Sequence, residues 1–161
     1  MPDGETRDHL AETIAQLAAR LGTTPFAPHV TLLPGLPGPE EGVLERAREL
    51  AAELEPLPIE ITGVAGHDAH FRCLFFRVAD TPALREAHRR AARRFGREPD
   101  PAFEPHLSLV YGTLAPEVKA RLSTDLSADV PAGFPADRLH VWRTEGVVGE
   151  WRELEALAWT R

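Results

Sequence analysis

The stretch PHVTLLPG, residues 28–35, decides the reading of this chain, because it returns once, as PHLSLVYG at residues 105–112. Both copies run Pro, His, an apolar residue, a small hydroxyl residue and Leu, and both end in Gly. In a strand, residues i and i+2 share a face. His29 and Thr31 therefore project together, while Val30 and Leu32 turn toward the core. His106 and Ser108 repeat the arrangement, with Leu107 and Leu109 behind them. A core strand needs only the apolar set. One His-x-Thr or His-x-Ser alone is more often a solvent-facing or interior pair, but two in matched context point to chemistry.

The repeat extends beyond eight residues. Phe26 precedes His29 by three positions, and Phe103 precedes His106 by three. Leu10, Ile14, Leu17 and Leu21 fall at helical spacing over residues 6–21, and Gly22 stops the run. A second helix is expected over about 40–54, with Val43, Ala47, Leu50 and Leu54 on one stripe. PLPIEITGVAG and HFRCLFFRVAD read as two strands, the first with Ile59, Ile61 and Val64 on its apolar face.

The pattern then restarts. A helix follows at TPALREAHRRAARRFG, then the second motif strand, a helix at APEVKARLSTDL opening with Pro in its first turn, and closing strands at ADRLHVWRTE and WRELEALAWT. These elements predict an α+β fold of one domain, residues 1–161, built from repeats of about 5–80 and 81–161. The two lobes are expected to be related by a pseudo-twofold axis, each with an antiparallel sheet and flanking helices, the motif strands facing each other across a groove. Internal symmetry leaves the first repeat without an opening strand, so a start truncated upstream of Met1 is expected.

Composition fits this picture. A chain of 161 residues buries a core without staples. Cys73 is the lone cysteine, which excludes an internal disulfide and suggests a reducing compartment. No secretion signature opens the chain, and no apolar run approaches the roughly 20 residues of a membrane span. A cytoplasmic monomer without membrane contact is expected. The formal charge of −7 argues against a dedicated binder of long nucleic acid.

Two imidazoles and two hydroxyls in one small volume suit a phosphodiester. Hydroxyls bind non-bridging oxygens, and an imidazole with a pKa near ~6.5 serves as acid or base at neutral pH. Opening a cyclic phosphate needs a base on the attacking water and an acid on the leaving oxygen, on opposite sides of phosphorus. The neutral and protonated imidazoles divide that work without a metal or other cofactor. The sequence does not settle which histidine plays which part; the working assignment is His106 as base and His29 as acid.

PHVTL and PHLSL, 77 residues apart, resemble the paired motifs of the 2H phosphoesterase superfamily. HFRCLFFRVADTPALREA and EPHLSLVYGTLAPEVK are similar to the plant and yeast type cyclic phosphodiesterases, and the likeness runs through WRELEALAWT. The resemblance implies a bilobal fold with the active site between the lobes. It implies metal-independent conversion of nucleoside 2′,3′-cyclic phosphates to 2′-phosphates, and of ADP-ribose 1″,2″-cyclic phosphate to the 1″-phosphate. His29 and His106 carry over as the catalytic pair, Thr31 and Ser108 as phosphate ligands, and Tyr111 as a tyrosine beside the site. The family's aromatic on the opening strand has no counterpart here, and neither do the additional cysteines that pair in plant members.

Other signals are weaker. Phe71 is a candidate to flank the substrate, with a core role the alternative. His67 and His70 in GHDAH suit a polar hairpin tip better than a metal site, which usually needs four ligands. His88 falls on the apolar stripe of its helix and reads as an interior histidine. Arg85, Arg89, Arg90, Arg93, Arg94 and Arg97 make that helix basic, either as a solvated face or as a device steering anions. The rival readings are an RNA 2′,3′-cyclic phosphodiesterase or 2′-5′ RNA ligase-like enzyme acting on RNA ends, and a non-catalytic binder of cyclic phosphates or RNA ends.

Overall fold

The computed structural model describes residues 1–160. Helix α1, Gly4–Leu21, buries Leu10, Ile14, Leu17 and Ala18 along one stripe, and Gly22 ends it in the left-handed conformation with φ 68°. Helix α2, Glu40–Ala51, buries Val43, Ala47 and Leu50. Strands β1, Leu57–Ala65, and β2, Leu74–Val78, follow, joined through a short 3-10 turn at His70–Arg72. Helix α3, Pro82–Arg94, has Pro82 in its first turn, and the Thr81 hydroxyl accepts the Leu84 N–H at 3.2 Å. Strand β3, His106–Val110, helix α4, Pro116–Ser127, and strands β4, Gly133–Ala136, β5, Arg138–Arg143, and β6, Arg152–Ala158, complete the chain.

Four strands form an antiparallel sheet in the order β3-β2-β1-β4, and β5 pairs with β6 in a second sheet. The α+β class and its two-sheet arrangement are those of the bilobal 2H phosphoesterase fold. Leu57, Ile59 and Ile61 are buried on alternate positions, and the register of β1 against β2 then shifts between Ile61 and Gly63. That bulge moves the inward face from odd to even positions, so Val64 pairs with Phe76 on the core side. Phe76, Val78, Leu107 and Leu109 meet Leu10 and Ile14 in the core cluster. The opposite face of β2 and β3 carries Phe75, Arg77, His106 and Ser108, with Arg77 in register with His106.

Three expectations need correction. PHVTLLPG is not a strand: it is an irregular segment, bent at Leu32 and Leu33, joined to β3 by a single antiparallel bridge, Val30 to Leu107. Pro28 and Pro34 have no N–H to give a ladder, and they bracket the segment. The motif segments thus run side by side rather than facing each other across a gap. HFRCLFFRVAD is a strand only from Leu74, because its first residues form the 3-10 turn. The sequence reading also passed over β4, a four-residue strand whose GFPA has no apolar alternation long enough to stand out. Its Gly133 is required there, since a Cβ would lie 1.9 Å from the Ile59 carbonyl oxygen.

The arginines of α3 are mostly matched. Arg85 pairs with Asp80, Glu86 accepts from Arg89, Arg90 and Arg93, and Arg94 reaches Glu49 and Glu53 on and beyond α2. Arg90 and Arg89 hold the Glu86 carboxyl down at about 2. This network ties α3 to α2, which leaves little free charge for steering. No described helix is long and apolar enough to cross a membrane.

Candidate active site

The bridge between Val30 and Leu107 sets the register of the two motifs. Extended by one residue each way, it places His29 opposite Ser108 and Thr31 opposite His106, all on the face away from the core. The two imidazoles are oriented alike. Nδ1 of His29 lies 2.7 Å from the Ala27 carbonyl oxygen, and Nδ1 of His106 lies 2.7 Å from that of Glu104. A carbonyl only accepts, so each Nδ1 carries the proton and each Nε2 is left to exchange protons in the cleft.

Burial is the largest influence on both rings and lowers their proton affinity. For His29 the bond to the Ala27 carbonyl partly offsets this, and His106 lowers it further. For His106 the bond to the Glu104 carbonyl and the Glu104 carboxylate raise the affinity, and Arg72 and His67 lower it. Glu104 itself is bound by His67 Nε2 at 2.8 Å and by Arg72 at 3.1 Å. Burial acts to raise the Glu104 pKa, but these two partners outweigh it and keep the carboxylate ionised.

Tyr111 is buried, and its hydroxyl stands 3.5 Å from His29 Nε2, at the outer limit of a hydrogen bond. Burial pushes its phenol up to about 12, so it remains a neutral donor. Ser108 is also buried, and its hydroxyl donates to the Phe71 carbonyl at 2.9 Å. As a phosphate donor it must first rotate off that carbonyl. Thr31 is half-buried beside His106 in register.

Aromatic rings surround the histidines. Phe26 stacks on Tyr111 at 3.8 Å and 10°. Phe71, 54% exposed, meets Tyr111 edge-on at 5.1 Å and lies 6.1 Å from Trp151. Trp151 is itself 5.8 Å from Tyr111. His67 and His70 are not drawn together: His67 binds Glu104, and His70 packs edge-on against Phe71 at 4.8 Å. The sequence reading missed Trp151, Arg72 and Glu104 as neighbours of the site. Only the place of Glu104, two residues before His106, offered a signal, since alternation sends both to one face.

A model of the 2′-5′ RNA ligase superfamily matches residues 5–147, a span containing both motifs. The chain belongs to this superfamily. Its members are 2H phosphoesterases, and the match supports an enzyme acting on phosphodiester bonds. The narrower likeness to plant and yeast cyclic phosphodiesterases does not follow from membership of the 2′-5′ RNA ligase superfamily. A comparison with curated proteins returns no match.

Proposed function

We propose that the cleft hydrolyses small 2′,3′-cyclic nucleotides to 2′-phosphates, and on the same chemistry ADP-ribose 1″,2″-cyclic phosphate. The observation that carries this reading is the matched pair of Nδ1–carbonyl bonds at His29 and His106, which leaves two Nε2 atoms for one acid and one base. In the reaction the base takes a proton from water as its oxygen attacks phosphorus. The P–O3′ bond breaks, and the acid gives its proton to the 3′ oxygen, leaving the phosphate on the 2′ oxygen. Thr31 and Ser108 donate to the non-bridging oxygens. Phe71 offers an exposed face on which a base stacks, with Tyr111 closing the cleft behind it.

The surroundings favour reversing the roles expected above. The charges acting on His29, the N-terminus and His106, both disfavour its proton, whereas at His106 the Glu104 carbonyl and carboxylate oppose Arg72 and His67. His29 is then the base and His106 the acid. The test is turnover of the four cyclic mononucleotides and of ADP-ribose 1″,2″-cyclic phosphate, with the product read by phosphorus NMR. A 2′-phosphate product supports the reading, and tight binding of all five without product sinks it in favour of a binder. Action on cyclic-phosphate RNA ends is the second reading, favoured by the superfamily match.

A further inference from the structure

Arg77 is the cation on the cleft face whose role the chemistry above leaves unassigned. It sits on β2 in direct register with His106, and on its other side the register partner is Gly63, which has no side chain to cover it. It is exposed, and unlike those of the α3 arginines its guanidinium has no hydrogen-bond or ion-pair partner among the described residues. It lines a shallow groove of about 420 Å³ with Thr62, Asp80, Arg85, Phe103 and Glu104. The two carboxylates there are already engaged, Asp80 by Arg85 and Glu104 by Arg72 and His67. Arg77 is thus the unmatched charge of the groove.

We propose that Arg77 forms a second anion subsite, which holds a phosphate on the 5′ oxygen of the ribose whose cyclic phosphate reacts at His29 and His106. The inference rests on the cyclic-phosphate reading of the cleft. Directly opposed residues have Cβ atoms about 5 Å apart. A guanidinium rooted there reaches a group one ribose away from the reacting phosphorus and can grip it with two parallel N–H donors. Two substrates share this 5′ phosphate: a nucleotide chain ending in a 2′,3′-cyclic phosphate, and the diphosphate of ADP-ribose 1″,2″-cyclic phosphate. A bare cyclic mononucleotide lacks it.

Titration calorimetry with adenosine 2′-phosphate and adenosine 2′,5′-bisphosphate tests the subsite without requiring turnover. The bisphosphate is expected to bind the unaltered protein about tenfold more tightly, at an ionic strength of roughly 50 mM where an exposed pair is weakly screened. Arg77→Gln is expected to abolish that preference while leaving the monophosphate affinity unchanged. Equal affinities in the unaltered protein, or a preference that survives Arg77→Gln, overturn the subsite alone. Failure of both ligands to bind at millimolar concentration overturns the phosphate-cleft reading, and the subsite with it. Where binding shows the preference, kcat/KM of Arg77→Gln on a cyclic-phosphate-ended dinucleotide and on the ADP-ribose derivative identifies the carrier by which falls. No fall on either overturns the assignment.

Discussion

His88 and Phe103 stack face to face, with centroids 4.0 Å apart and planes 6° from parallel. The same imidazole bridges the two motif regions. Its Nδ1–H donates to the Leu32 carbonyl at 2.9 Å, and its Nε2 accepts the Asp100 N–H at 3.1 Å. Leu32 follows Thr31, and Phe103 precedes His106 by three residues. A buried histidine of the core therefore fixes the distance between the two halves of the site.

Replacing it tests that role. His88→Phe retains a ring against Phe103 but leaves a carbonyl and an N–H unpaired, which costs about 2–4 kcal/mol of stability. Urea unfolding measures the loss. At a temperature where the variant stays folded, kcat is expected to fall at least tenfold with KM little changed. Unchanged kcat would reduce His88 to a packing residue.

The two hydroxyls are expected to behave differently. Ser108→Ala removes the buried hydroxyl that donates to the Phe71 carbonyl, so it costs about 1 kcal/mol of stability as well as activity. Thr31→Val removes a hydroxyl whose partner is expected to be substrate, so kcat/KM falls while the urea midpoint holds. Equal midpoint shifts in the two variants would contradict the distinction.

Titration gives a signed expectation. Burial lowers the proton affinity of both His29 and His106. The folded protein therefore takes up these protons at lower pH than the unfolded chain, whose imidazoles titrate near ~6.5. Stability from this source is complete above about pH 6.5 and is lost as pH falls below it toward the folded values. A His29→Gln, His106→Gln double variant should show a flatter decline from pH 6.5 to 5. Under the proposed chemistry kcat/KM is bell-shaped, with an optimum on the acid side of 6.5 set by the coupled pair. A flat profile, or an optimum in alkali, would contradict it.

Phe71→Ala is expected to raise KM for cyclic nucleotides about tenfold or more, as stacking on one ring is worth about 1–3 kcal/mol. Because its ring is more than half exposed, the fold should hold. Steady-state kinetics beside thermal melting separates the two effects.

Much of this was legible because the motif joins two periodicities. His29 and Thr31 lie on one face and Val30 on the other, so alternation alone predicted which side chains share the cleft. The matched phenylalanines were also visible, though not that each would stack on a ring, Phe26 on Tyr111 and Phe103 on His88. What sequence could not convey is pairing. PHVTLLPG has the composition of a strand, yet hydrogen bonds need a neighbour, and its prolines withhold two donors. Arg72 and Trp151 come to the site from distant elements through tertiary contacts that no local pattern records, whereas Glu104 lies only two residues before His106. The bulge that turns the inward face of β1 became apparent only from the register.

The central claim is that two imidazoles in one cleft split a cyclic phosphate as an acid and base pair. Single-turnover hydrolysis of a 2′,3′-cyclic nucleotide by the unaltered protein, His29→Ala and His106→Ala measures it most directly. Each substitution should lower the rate by at least a thousandfold, near the typical 10²–10⁴ worth of a positioned acid or base, with the fold intact by circular dichroism. A folded variant of either kind retaining a tenth of the rate would contradict the account.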